Sequence, residues 1–227
     1  MGSEDVYKRQ ILSQAGLKTW KLYESVPDSH DLREELYQHM DTVSSKNIST
    51  KMVLPIDQHF NVKGVGLVAI GYVQSGTVNK HDEVVILPAN ENGVVRSLQV
   101  MDDDVDSAIA GDRVGVALRN LKEESLHRGC MIIHPESQAL IRHDNSKIKI
   151  KTAPFQKRKL TNEDVIHAAV DLQFVVGRIK RVEGDLISVE WENPLWIRAE
   201  GSPEILITQL DAMPMRIIGS VETIEQA

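Results

Sequence analysis

A single cysteine, Cys130, stands among 227 residues. That excludes an internal disulfide and a cysteine-rich zinc site, and it fits a reducing, cytoplasmic setting. No apolar run approaches the ~18 residues of a membrane-spanning helix. No charged-then-apolar leader opens the chain, so neither a span nor a secretory signal is expected. The eight histidines are scattered, with no pair at the i, i+4 spacing of helical zinc ligands. His127 and His134 flank Cys130 but do not define a metal site. A phosphate loop of the form G-x-x-x-x-G-K-[S/T] is missing, as are a nucleophile elbow and a framed carboxylate pair. The chain as given is therefore not expected to be an enzyme, to bind a metal or to hold a cofactor.

A net charge of −7 argues against binding nucleic acid through the whole surface. The charge is unevenly spread. Within 142–159 seven bases, Arg142, Lys147, Lys149, Lys151, Lys157, Arg158 and Lys159, face one acid, Asp144. Contact with a polyanion is expected there, to a duplex phosphate backbone and without sequence reading. An edge strand guarded by Lys147, Lys149 and Lys151 fits the same pattern equally well.

What is present falls into two periodicities. Met1–Gln10 is polar and patternless and is read as a frayed or extraneous end. Leu17–Val26 alternates weakly, as a strand would. Leu32, Leu36 and Met40 recur every fourth residue behind Asp28 and Ser29, predicting a capped amphipathic helix of about three turns. One strand and one helix cannot enclose a core, so 1–49 reads as a tail, a domain remnant and a polar linker over Asp41–Lys51. Beyond it the period becomes 2. Val65–Val73, Glu83–Leu87, Val94–Val100 and Arg113–Leu118 are short, β-branched and punctuated by glycine, the signature of a closed barrel or sandwich. A second series follows: Lys147–Lys151, Val165–Val170, Gln173–Val182, Asp185–Glu190, Ile205–Gln209 and Met215–Val221. The break near His134–Asn145 divides a first barrel, 50–135, from a second, 136–220, leaving 221–227 as a tail. The fold class is mainly β, two tandem barrels.

Short motifs are weak in this context. Asn79-Lys80-His81-Asp82 spells N-K-x-D, but without a phosphate loop it reads as a turn between strands. Gly64-Val65-Gly66-Leu67-Val68-Ala69 satisfies G-x-G-x-x-A, yet it continues as a strand where a dinucleotide site needs a helix. Asp102, Asp103, Asp104 and Asp106 lack the central glycine of a calcium loop. They read as a solvated loop that would repel RNA locally.

The densest pattern runs from Leu54 to Ile132. LPIDQHFNVKGVGLVAIGYVQSGTVNKHDEVVIL is followed by VRSLQVMDDDVDSAIAGDRVGVALRNL and LHRGCMI. This stretch resembles the second domain of the translation GTPases of the elongation factor Tu type. Their pattern is P-I-[DE]-x-x-F, then G-x-G-x-V-x-x-G-x-V-x-x-G, D-E-V, R-S-[IL]-Q, A-G-[DE]-R-V-G and R-G. His81 stands where the family usually has glycine, which affects turn geometry more than function. Residues 146–220 resemble the third domain only through Met215-Arg216-Ile217-Ile218-Gly219. Residues 17–40 look like the last strand and helix of the GTPase domain.

The resemblance implies a translation elongation factor, or part of one, that binds aminoacyl-tRNA and works with the ribosome and a missing GTPase domain, with no membrane role. GTP and magnesium would belong to a full-length parent. By motif position the aminoacyl and 3′-end pocket falls on Asp57, Gln58, Phe60, Gln99 and Arg113. Phe60 suits packing on a base or sugar, and Gln99 suits an adenine edge. The fork of Arg113 suits a phosphate or polar aminoacyl group. An arginine at 113 resembles the selenocysteine-specific branch. The competing reading puts Phe60 in the core and Arg113 in a surface ion pair. Other functions remain open: an initiation or ribosome-rescue factor on the same barrel, or a GTPase-free module that docks on the ribosome or another protein.

Overall fold

The computed structural model describes residues 3–14, 21–23, 25–42, 49–154, 156–201 and 204–227. They belong to two compact units, Met1–Lys46 and Asn47–Ala227, each described by itself.

The first unit contains α1 (Ser3–Gln14) and α2 (Ser29–Thr42). Most of the opening expected to be patternless is thus helical. Lys8, Arg9, Gln10 and Leu12 are good helix formers and no glycine or proline interrupts the stretch, so backbone preference forms a helix where periodicity is silent. The cap of α2 is Asp28, whose Oδ1 accepts from the backbone N–H groups of His30 at 2.8 Å and Asp31 at 3.4 Å. These are two of the donors a helix start leaves unpaired. Leu36 and Met40 are exposed, and no residue of α2 is buried. Of the strand expected over Leu17–Val26, residues 17–20 and 24 lie outside the described residues, and 21–23, 25 and 26 carry no strand. Residues 43–48 of the expected linker also lie outside, while 41 and 42 close α2.

In the second unit the first set of strands is β1 (Val53–Val62), β2 (Gly66–Tyr72), β3 (Thr77–Asn79), β4 (Glu83–Leu87), β5 (Glu91–Val100), β6 (Asp103–Val105), β7 (Ser107–Ile109), β8 (Arg113–Arg119) and β9 (Met131–Ile133). They close in the order β4-β9-β1-β2-β8-β5 and back to β4, with β6 appended to β5 and β3 paired to β7. Inward residues of alternating pattern, among them Leu54, Ile56, Ala69, Val84, Leu98, Val114 and Val116, make one core. Gly71 in β2 is needed sterically: a Cβ there would lie 2.1 Å from the carbonyl oxygen of Pro55.

The second set is β10 (Leu140–Thr152), β11 (Val165–Val170), β12 (Gln173–Glu183), β13 (Leu186–Arg198), β14 (Leu206–Thr208) and β15 (Ile217–Gln226). These form a closed barrel, β10-β13-β12-β11-β14-β15, around Ile148, Ile166, Ile179, Val189, Leu195 and Ile207. Two expectations change here. Residues 221–226 are not a tail but the outer half of β15, paired from Val221 to Gln226 along β10. Consequently β10 is no edge where Lys147 and Lys149 stand: β13 pairs residues 140–149 and β15 residues 146–152, and only Lys151 lies beyond the β13 pairing. A register shift at Glu222 sets the core-facing Val221 and Ile224 three residues apart, which hides the period of 2.

The barrels are joined by contacts of their outer faces. Val53, Leu87, Met131 and Ile133 from the first pack with Ala139, Leu140 and Trp196 from the second. The side chain of Gln173 clamps the backbone of Trp196, donating from Nε2 to its carbonyl at 2.6 Å and accepting at Oε1 from its N–H at 3.0 Å. Gly129 approaches the Leu172 carbonyl so closely that a Cβ would lie 2.8 Å from it. Lys51 reaches Glu200 at 3.2 Å.

Turn chemistry explains the N-K-x-D tetrapeptide. Asp82 accepts from the backbone N–H of Asn79 at 2.7 Å and meets His134 Nε2 at 2.9 Å, while His81 takes φ +74°. The family's glycine position is therefore a left-handed one, occupied here by histidine.

Candidate binding cleft

On a strand, residues i and i+2 face one way. With the core taking Leu67, Ala69, Val114 and Val116, the opposite face of β1, β2, β8 and β5 is formed by the alternate residues. Register aligns them in two rows. Phe60 stands beside Val68, Val68 beside Ala117, and Ala117 beside Ser97; Gln58 stands beside Ile70, Ile70 beside Gly115, and Gly115 beside Gln99. Over these rows lies a cleft of about 610 Å³ whose lining includes Phe60, Val68, Gln99, Asp102, Asp104 and Arg113. Four strands at about 4.8 Å spacing set the Phe60 and Gln99 walls about 14 Å apart, too far for both to grip one base ring. They address different parts of a ligand.

Each wall ends in a turn that sequence reasoning did not connect with the site. The β1–β2 turn carries Gly64 and Gly66 at φ +86° and +100°. It is held by the Arg96 guanidinium, which donates to the carbonyls of Val65 and Gly64. The opposite turn joins β5 to β6 through Met101 and Asp102, both with positive φ, +51° and +71°. Residues 103–105, expected as loop, form β6 because this two-residue turn is of the primed kind that matches strand twist. The fold thereby draws Asp102 and Asp104 into the cleft. Across the hairpin Gln99 faces Asp104 in register, and its Nε2 donates to Asp104 Oδ1 at 2.9 Å.

Of the five expected pocket residues, three line the cleft: Phe60, Gln99 and Arg113. Phe60 is 41% exposed, which contradicts a core role. Arg113 is exposed and has no ion pair or hydrogen bond among the described residues, so the surface-pair reading also fails. Gln58 lies on the cleft side of β1 but outside the lining. Asp57 sits at the register shift between Ile56 and Gln58 and meets the Arg128 guanidinium at 3.3 Å, away from the cleft.

Lys147, Lys149 and Lys151 alternate outward on β10, all exposed. Three of the seven bases are engaged by acids of the chain: Arg142 with Asp144 at 2.7 Å, Lys149 with Glu222 at 3.6 Å, and Arg158 with Asp164 at 3.7 Å and Asp211 at 3.5 Å. The Arg142 guanidinium holds the Asp144 carboxyl below its ordinary range. Lys147, Lys151, Lys157 and Lys159 have no ion pair among the described residues. A separate groove of about 670 Å³ runs along β13 and β15 and includes His143, Arg198 and Glu222. Its one arginine, Arg198, is held by Asp171 at 2.9 Å and Glu222 by Lys149, which leaves the Glu225 carboxylate and no unpaired cation among the described residues. The first cleft, with an open aromatic and an arginine whose guanidinium has no ion pair among the described residues, is the better candidate. No helix among the described residues is long and apolar enough to cross a membrane.

Comparison with known proteins adds to this picture. The family profile described as elongation factor Tu domain 2 matches residues 66–133. An uncharacterized protein of Methanocaldococcus jannaschii is 28% identical over 187 residues, 82% of this chain and 58% of that protein. The selenocysteine-specific elongation factor of the same organism is 33% identical over 181 residues, 77% of this chain and 38% of the relative. A crystal structure of the translation elongation factor SelB from Methanococcus maripaludis, apo form, superposes with a TM-score of 0.76 at 26% identity, covering 100% of this chain and 55% of that one. The chain thus spans roughly 40–60% of the length of these relatives. Residues 66–133 match the elongation factor Tu domain 2 family, and the chain is similar to selenocysteine-specific and 1-alpha translation elongation factors.

Proposed function

We propose that the cleft on the first barrel holds the aminoacylated, single-stranded 3′ end of a tRNA, and that the outward lysines of β10 meet the phosphate backbone of its stem. The observation that carries this reading is the convergence of Phe60, Gln99 and Arg113, whose guanidinium forms no ion pair with Asp102 or Asp104, on one open cleft. RNA ends are held by stacking and by contacts to base edges, which an exposed phenyl ring and a carboxamide supply. A planar guanidinium without an internal partner favours an anionic group: a phosphate, or an anionic aminoacyl side chain. One relative is named for selenocysteine, so a selenocysteinyl ester is the first aminoacyl group to try. In this reading the protein acts in the cytoplasm with the ribosome as partner. GTP binding and hydrolysis belong to a longer parent.

The test is binding of charged and uncharged tRNA to this chain and to Arg113→Ala. The charged form is expected to bind more tightly, and the substitution to weaken it by about tenfold or more, the usual worth of a hydrogen bond to a charged group. Indifference to both charging and substitution ends the reading.

A further inference from the structure

We infer that Asp104 is a positioning residue that fixes the carboxamide of Gln99, so that the cleft selects a terminal base bearing an exocyclic amino group. This rests on the cleft being the site for an RNA end. A carboxylate can only accept hydrogen bonds. Its contact with Gln99 Nε2 at 2.9 Å therefore sets which end of the amide turns away. The end left for a ligand is Oε1, which accepts no hydrogen bond among the described residues. A free glutamine flips to suit a donor or an acceptor; this one presents its acceptor. The matching partner is an amino group, and an adenine edge offers one beside a ring nitrogen that the remaining N–H of Gln99 can reach.

The device is built into the backbone. Gln99 and Asp104 are cross-strand partners in the β5–β6 hairpin, and the Met101–Asp102 turn keeps them opposite each other. Arg113 supplies attraction, and Phe60 on the far wall supplies a stacking surface for another part of the RNA end; neither depends on which base Gln99 meets. Asp104 supplies the choice.

The experiment compares two minihelices carrying a tRNA acceptor stem with a single-stranded 3′ end, aminoacylated through a stable amide. One ends in adenosine; the other ends in purine riboside, which lacks the 6-amino group. The wild-type chain is expected to prefer adenosine about tenfold, as loss of one specific hydrogen bond to a site left unpaired implies. In Asp104→Ala the amide turns freely and the preference falls to within about twofold. In Asp104→Asn the side-chain amide can donate to Oε1 as well as accept from Nε2, so it no longer dictates which end of Gln99 turns out, and the preference falls as it does in Asp104→Ala. Three results overturn the inference. Equal binding of both probes by the wild type, with Arg113→Ala still weakening both, removes base selection and leaves the cleft reading standing. Tighter binding of both probes by Asp104→Ala with the preference intact reduces Asp104 to a repelling charge. Binding of neither probe by the wild type removes the cleft reading and this inference together.

Discussion

Met101 is a residue in the wrong conformation for its chemistry. An unbranched apolar side chain at φ +51° carries a left-handed penalty of roughly 1–2 kcal/mol that asparagine largely avoids. Met101→Asn is therefore expected to raise unfolding stability by about 0.5–1 kcal/mol, read by urea denaturation. A fall in stability would show that Met101 packs usefully despite being 90% exposed. Inside the second barrel, Trp191 Nε1 donates to Ser146 Oγ at 2.9 Å, and Ser146 Oγ meets His143 Nδ1 at 3.1 Å. The serine hydroxyl completes the chain by donating to a neutral imidazole. Burial pushes the His143 pKa down, so the unfolded chain takes up a proton that the folded one resists. Stability then rises with pH and is lost on acidification below the unfolded histidine value of about 6.5. Urea denaturation at pH 8 and pH 5 is expected to show this loss in the wild type and less of it in His143→Gln. Identical pH profiles would exclude His143 as the source. Ser146→Ala, which orphans the Trp191 N–H, is expected to cost about 1–3 kcal/mol at neutral pH.

At the level of elements, alternation alone located β4 and β11 to the residue, because Glu83–Leu87 and Val165–Val170 combine period-2 patterning with turn residues at both ends. It shortened β10, β13 and β15. Their outer halves carry charged and polar side chains on one face, and they owe their strand state to partners far away in sequence. Of the five three-residue strands only β14 showed, inside the apolar run Ile205–Gln209; β3, β6, β7 and β9 are too short to show a period. The same distinction holds for the site. Phe60, Gln99 and Arg113 were legible because their motifs were, whereas Asp104 reaches the cleft only through a turn with two left-handed residues that sequence pattern does not announce. Pairing of β10 on both sides has a measurable consequence for its lysines. With strands on both sides of Lys147, and with Lys151 exposed and without an ion pair among the described residues, both are expected to serve phosphate contact. Lys147→Gln with Lys151→Gln should weaken tRNA binding and flatten the slope of log K against log salt by about 1.4–1.8, about 0.7–0.9 per phosphate contact. An unchanged slope would leave those lysines as solvated surface.

In the whole molecule, Trp196 is the hinge-pin of the barrel pair. Its indole packs on the outer face of the first barrel, while its Nε1 is buried without a partner among the described residues. Trp196→Ala is expected to cost about 2–4 kcal/mol and to split one urea transition into two as the barrels unfold separately. Trp196→Phe removes the orphaned N–H and keeps most of the ring, so it should cost less than Trp196→Ala. A single unshifted transition in Trp196→Ala would show that the polar contacts alone hold the barrels together. Where Gly129 presses on the Leu172 carbonyl, no side chain could be inserted without prising the faces apart. A joint this close turns two modules into a caliper of one setting. On the proposed function, an RNA whose free end and paired flank are spaced to match is expected to touch both jaws at once, and one with a shorter or longer overhang to let go of one of them.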